Sequence, residues 1–275
     1  MDIYQQYRPS PLLADLVECY WMVRAPGNTL NKHERLIPGG RIEMIFNFAD
    51  PLRWLITRED TQGNAMQNAF LMGPRDRIYY AYGAGKIDMA GIRFKPGGLA
   101  AFTHVPALTI LNRVVPAEYI FGSVVNNWQA LLYEMETDED KVNLLNKLLL
   151  QAVKNYGPDM QMVKKVIEVI RIDAGSTHVQ SICDKAGWYY KKLERAFQKN
   201  AGYTPKYYCK IVRFNRALRL MANSPRSLTE ICYDCNYFDQ SHFIKDFHQF
   251  AGTAPASFKK EDNRVASFLI KHQPV

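Results

Sequence analysis

Residues 231–258 read ICYDCNYFDQSHFIKDFHQFAGTAPASF, and residues 182–208 read ICDKAGWYYKKLERAFQKNAGYTPKYY. The two stretches share one skeleton. Ile182/Ile231 and Cys183/Cys232 stand 49 positions apart, whereas Phe197/Phe247, Ala201/Ala251, Gly202/Gly252 and Pro205/Pro255 stand 50 apart. A repeat whose offset grows by one residue in its middle predicts two copies of one unit, the second with a longer turn.

Each copy carries helical punctuation. In the first, Val179, Ile182, Cys183 and Ala186 form one apolar face after Thr177-x-x-Gln180, a possible capping box. Gly187 supplies a turn that tolerates positive φ, and a further helix over roughly 189–200 is anchored by Leu193, Ala196 and Phe197. In the second, Ser227-x-x-Glu230 is the capping box, and Leu228, Ile231, Cys232 and Cys235 form the face. Asn236 takes the turn, and Asp239 caps a helix anchored by Phe243, Phe247 and Phe250. Helix, tight turn, helix is the helix-turn-helix pattern. Between the copies, a long helix should begin at Pro205 and stop at Asn223-Ser224-Pro225, with Lys206, Lys210 and Arg213 along one face. Ahead of both, Val163, Val166, Ile167 and Ile170 predict a helix over 158–174 that starts near Pro158.

Charge follows the same division. The chain has 275 residues and a net charge of +8. Residues 1–157 hold 16 Lys+Arg against 16 Asp+Glu, and residues 158–275 hold 19 against 11. An excess confined to the repeat-bearing part suggests a polyanion as its partner. No apolar run reaches the length of a membrane span, the N-terminus lacks a signal-peptide layout, and the 5 cysteines show no disulfide framework, so a cytoplasmic protein with reduced thiols and no membrane partner is expected.

Residues 158–260 resemble the DNA-binding domain of the AraC/XylS transcription regulators, in which two helix-turn-helix units are joined by a linker helix. The two quoted stretches and RFNRALRLM (213–221) carry the likeness. This sequence departs from the pattern at Cys183 and Cys232, where Ala is common, at Asn236, where Gly is common, and at Tyr189, where a Ser cap is usual. The resemblance implies double-stranded DNA as partner and a recognition helix in each of two successive major-groove segments. It implies that Lys191, Glu194 and Arg195 in the first helix, and Gln240, Ser241 and Lys245 in the second, face the bases, with Ile244 near a thymine methyl. Lys192, Lys199, Lys206 and Lys210 are read as phosphate contacts or surface charge. Arg213 and Arg216 are expected to pair with carboxylates inside the fold.

The first half reads as β, then α. Strands are expected at 16–23, 42–48, 53–57, 77–82 and 87–94, and helices at about 124–136 and 141–156. GIRFKPGGL (91–99) and CYW (19–21) resemble an N-terminal domain of one AraC/XylS subgroup. The likeness implies a β-rich, cupin- or jelly-roll-like sensor or dimerisation domain over 1–157, with trailing helices, ahead of an all-α domain over 158–275: an α+β protein overall. Partners implied are a small-molecule effector, a second copy of the chain and, for an activator, RNA polymerase.

Enzyme chemistry finds little support. Only His33 and His104 lie in the first half, too few for a metal cupin, and no cofactor is expected. Gly83-Ala84-Gly85 is too short for a dinucleotide loop. Cys232-x-x-Cys235 has a zinc-like spacing but falls on the buried face of a helix. Two rivals to a one-component regulator remain at this level. One is a DNA-associated enzyme, such as a repair protein that borrows the same module. The other is a regulator whose first half binds only proteins.

Overall fold

The computed structural model describes residues 3–27, 30–55, 64–83, 85–154 and 157–260. Among these, the first half forms strands β1 (Ile3–Tyr7), β2 (Val17–Ala25), β3 (Leu30–Leu36), β4 (Ile42–Asn47), β5 (Leu52–Leu55), β6 (Asn64–Met66), β7 (Ala69–Met72), β8 (Tyr79–Gly83), β9 (Ile87–Phe94) and β10 (Val114–Pro116). Helices α1 (Glu118–Phe121), α2 (Val124–Glu134) and α3 (Asp138–Ala152) follow. The second half is α4 (Pro158–Ile172), α5 (Val179–Ala186), α6 (Tyr190–Ala201), α7 (Pro205–Asn223), α8 (Leu228–Asp234), α9 (Gln240–Ala251) and α10 (Pro255–Lys260).

The strands pair antiparallel in two sheets, one in the order β1-β2-β9-β4-β7-β10 and one in the order β3-β8-β5-β6. The larger sheet is buried on both faces. Tyr20, Met22, Met44, Phe46, Ile92 and Phe94 meet the apolar stripes of α2 and α3, including Trp128, Leu132, Leu145 and Leu149. The alternate residues Cys19, Trp21, Ile45, Phe70 and Met89 pack with Trp54 and Tyr79 of the smaller sheet. This double burial explains why β2, β4 and β9 read as nearly continuous apolar runs rather than alternating ones. Gly91 lies opposite Trp21 in the β2–β9 register, and a Cβ there would fall 2.0 Å from the indole. The glycine in the GIRF stretch therefore makes room for the sandwich's tryptophan.

The expected α+β arrangement, β-rich and then helical, is the one observed. Strands β1, β3, β6, β7 and β10 were not anticipated, being short or polar. The helix expected at 141–156 is displaced toward the N-terminus. Thr137 accepts from the Asp140 amide and starts α3 earlier, and α3 ends at Ala152, ahead of Pro158. Residues 56 and 57 of the expected fifth-strand stretch lie outside the described residues.

Pro158 is the first residue of α4, where its missing N–H costs nothing. Helices α4 to α10 close around one apolar cluster of Val166, Ile170, Phe197, Phe214, Phe243 and Phe247, among others, which also takes in Ile37 from the β half. Hydrogen bonds join the halves as well. The Tyr203 hydroxyl donates to the Arg75 carbonyl at 2.8 Å, the Tyr207 hydroxyl to the Asp76 carbonyl at 2.9 Å, and the Asn215 amide to the Pro38 carbonyl at 3.2 Å.

Candidate nucleic-acid interface

Both helix-turn-helix units form as the repeat predicts. Gly187 ends α5 with φ +66°, and Asn236 follows α8 with φ +57°, the left-handed region that a Gly or Asn adopts at least cost. The longer second turn holds Cys235, which continues the buried face. The second unit carries its expected caps: Ser227 and Glu230 bond reciprocally, and Asp239 accepts from the His242 amide at 2.7 Å. The first unit departs from expectation. Thr177 and Gln180 form no capping box: the Thr177 hydroxyl bonds Asp173, Gln180 bonds Asp184, and α5 starts at His178 without a side-chain cap. Recognition helix α6 likewise gets no side-chain cap from its N-cap residue, Tyr189.

The inward faces are those expected. Leu193, Ala196 and Phe197 on α6, and Phe243, Phe247 and Phe250 on α9, are buried. Cys232 and Cys235 are fully buried, and burial pushes the Cys235 thiol up to about 11, the behaviour of core residues. The candidate base readers lie on the opposite sides. Lys191, Arg195, Gln240, Ser241 and Lys245 are exposed, and Glu194 is half-buried. Lys191 and Glu194 form a 3.3 Å ion pair, while Gln240 donates to the Thr229 hydroxyl at 3.0 Å. Lys192, Lys199 and Lys206 are exposed cations.

Two basic residues have structural work instead. Lys210 sits 2.9 Å from Asp246, a carboxylate only 1% exposed on α9, and His242 lies 3.4 Å from the other oxygen of the same group. Lys210 is thus the counter-ion that makes a buried charge tolerable and ties α7 to α9. Arg213 was expected to meet a carboxylate. It donates to the Gly175 carbonyl at 3.1 Å and lies over the Tyr237 ring at 5.4 Å.

The starts of the two recognition helices flank one groove of about 610 Å³, lined by Tyr190 of α6, His242 of α9, and Lys206 and Lys210 of α7. Two exposed aromatics lie beside these starts; the sequence marked Tyr189 only as an unusual cap and did not mark Phe238 at all. Tyr189, at the N-cap of α6, and Phe238, one residue before the Asp239 cap of α9, are 84% and 88% exposed, more than any other large apolar side chain described. The sequence held the available signal: an aromatic recurs just after Gly187-Trp188 and Asn236-Tyr237.

Comparison with known proteins agrees with this geometry. Residues 182–261 match the family described as Helix-turn-helix domain, and residues 5–116 match a domain family of unknown function, DUF6597. The HTH-type transcriptional activator RhaS of Shigella boydii serotype 18 is 26% identical over 87 residues, which cover 32% of this chain and 31% of RhaS. The uncharacterized HTH-type transcriptional regulator YidL of Escherichia coli K12 is 35% identical over 131 residues, 45% of this chain and 42% of YidL. The chain thus spans less than half the length of these curated relatives. Among solved structures, ToxT of Vibrio cholerae aligns over 94% of this chain and 97% of its own, at 12% identity and a TM-score of 0.47. Two helix-turn-helix units on one linker helix, together with the family match over 182–261, make the second half of this chain a helix-turn-helix domain similar to those of the HTH-type transcription regulators RhaS and YidL.

Proposed function

We propose that the protein is a one-component transcription regulator that binds a specific double-stranded DNA site through α6 and α9. The observation that supports this reading is a pair of helix-turn-helix units whose recognition helices carry exposed cations, Lys191, Lys192, Arg195 and Lys199 on α6 and Lys245 on α9, with Lys206 of α7 in the groove that Tyr190 and His242 also line. Helix starts enter the major groove, and two in one chain can address successive groove segments without dimerisation. Arg195 reads a guanine, Glu194 accepts from a cytosine amine, and Lys191, Gln240, Ser241 and Lys245 complete the base contacts. Lys192, Lys199 and Lys206 hold phosphates. Tyr189 and Phe238 add apolar contacts to thymine methyls. Residues 158–275 form the DNA-binding part, and residues 1–157 the part that senses a small molecule or pairs with a second copy. RNA polymerase is a further partner if the protein activates, and a DNA partner in a bacterium sets it in the cytoplasm.

Fluorescence anisotropy on a selected DNA site across a salt series tests the reading. With about six phosphates neutralised, log affinity should fall against log salt with a slope near −5. A flat dependence would sink it.

A further inference from the structure

Tyr189 and Asp239, the N-cap residues of α6 and α9, stand 50 positions apart, so the two recognition helices share one register. The third residue of α6 is Lys192, an exposed cation proposed above as a phosphate contact. Its counterpart, the third residue of α9, is His242. One turn further along, on the inner side, Ala196 of α6 corresponds to Asp246 of α9. Both are buried, at 4% and 1% exposure.

A unit of this fold therefore needs only a small apolar side chain at the inner position. The second unit carries a carboxylate there, and a buried charge is costly unless it is paired and hydrogen-bonded. The pairing is half complete. Asp246 Oδ1 accepts from Lys210 at 2.9 Å, but the buried Oδ2 accepts no hydrogen bond among the described residues. His242 Nε2 lies 3.4 Å from Oδ2, one turn back on the same helix. A neutral imidazole has one proton, on Nε2 toward Asp246 or on Nδ1 away from it. Only the imidazolium carries both, so that Nε2–H can serve the carboxylate while Nδ1–H serves a phosphate. The ring is half-buried and lines the same groove as Lys206.

The groups around the ring fix the direction of the effect. Asp246 favours its charge, as does Asp239, which accepts from the His242 amide at 2.7 Å. Lys206, Lys210 and Arg213 of α7 oppose it, and His178 at the start of α5 lines the same groove. The Tyr237 ring meets the imidazole edge-on at 5.3 Å, and Tyr190 and Cys209 line the groove. Burial holds these two hydroxyls and the thiol above their ordinary ranges, so they stay neutral. A phosphate placed at Nδ1 adds the negative charge that the α7 cations oppose in the free chain. Binding then takes up a proton.

We propose that His242 is a proton-dependent DNA phosphate contact, with Asp246 as the positioning residue that holds the charged ring. The second unit thus grips DNA more tightly as pH falls, whereas the first, with Lys192 at the same place, does not. This step rests on the DNA-binding reading above. The protonated ring is the form that binds, so affinity is highest below the range in which histidine titrates and falls as pH rises through it.

Fluorescence anisotropy of the full chain on the selected DNA site, at constant ionic strength from about pH 5.5 to about pH 8.5, tests the contact. The parent's affinity should fall about tenfold across that range, the worth of one charge-assisted contact. His242→Gln should bind weakly at both ends, near the parent's high-pH level. His242→Lys, which copies the first unit, should bind tightly at both ends. Asp246→Asn should move the fall to lower pH, because the neutral amide no longer favours the imidazolium. His178→Gln should keep the fall, and Lys192→Gln should keep it from a lower starting affinity. A fall of the same size in His242→Gln, or none in the parent, overturns the proposal and leaves the regulator reading standing. Weak binding by His242→Lys throughout would mark the ring as structural and overturn the contact. Absence of specific binding by the parent at every pH removes both readings.

Discussion

The two helix-turn-helix units have one skeleton and different means of holding it. In the second, side chains satisfy the exposed amides: Ser227 and Glu230 at α8, Asp239 at α9. In the first, neither α5 nor α6 has a side-chain cap. Its recognition helix packs instead against α4 and against the one-turn helices Gly98–Ala101 and Ala107–Ile110 of the β half. Local sequence defines the ends of the second unit, and tertiary packing defines those of the first. The N-terminal half thus packs along the recognition helix of the first unit and meets the second near Gly252.

The glycines that close the recognition helices probe this difference most strongly. Gly202 and Gly252 both adopt positive φ, +80° and +70°. A Cβ on Gly202 would lie 2.5 Å from the Pro74 ring and 3.2 Å from the Ala107 carbonyl oxygen, whereas one on Gly252 would meet Ile78 at 3.2 Å. Gly187, with φ +66°, has nothing within 4 Å. Gly187→Ala should therefore cost only the left-handed strain, about 1–2 kcal/mol. Gly202→Ala adds overpacking and should cost about 2–4 kcal/mol, with Gly252→Ala between them. Urea denaturation of the three variants gives the order. Equal losses at all three would mean that the β half does not grip the first unit.

Base readers should be alike in the two units and differ in kind from phosphate contacts. Arg195→Ala on α6 and Lys245→Ala on α9 should each cost about 1–3 kcal/mol at the specific site and relax preference at one or two base pairs. Lys199→Ala should weaken all sequences alike. Selection of sites from random DNA separates the two behaviours, and equal losses on specific and random DNA for Arg195→Ala would remove it from the readers.

Capping offers a smaller contrast. Ser227→Ala and Asp239→Ala each remove a side-chain acceptor from a helix start and should cost about 1 kcal/mol. Thr177→Ala removes only a bond to the Asp173 side chain and should stay within about 0.5 kcal/mol. A large loss at Thr177 would show that the first unit depends on local bonds after all.

How far the sequence could be read follows the same line. The repeat, its buried faces and the Gly187 and Asn236 turns rest on interactions within about a dozen residues, and periodicity exposes them. The Thr177 box failed because Asp173 and Asp184, each four residues from its partner, compete for the same two side chains, and the S/T-x-x-E/Q pattern does not weigh such local competitors. Lys210 looked like a surface charge because its counter-ion, Asp246, lies 36 residues away on a face otherwise apolar. The short strands β7 and β10 take their pairing from neighbours distant in sequence, and a three- or four-residue run carries no period of its own.

The smallest expected effect bears on the one feature that the units share on their exposed side. Tyr189 precedes the first residue of α6, and Phe238 precedes the Asp239 cap of α9, each held outward by a turn of fixed geometry. An aromatic ring kept in water gains by contact with an apolar group, and thymine's methyl is the apolar group that the major groove presents. Removing that methyl should cost no more than about 0.8 kcal/mol, the worth of one buried carbon. Replacing single thymines of the selected site by uracil, one position at a time, should locate the contacts as small losses with the parent chain. Tyr189→Ser should abolish the loss at one position and Phe238→Ser at another, one helical turn of DNA away. The cycle separates methyl contact from general weakening, because a phosphate or stacking role would lower affinity equally on thymine and uracil DNA. If both variants bind the two DNAs in the same ratio as the parent does, the aromatics do not read methyls. If only one does, the two units dock unequally, and the capped second helix should be the one that keeps its contact.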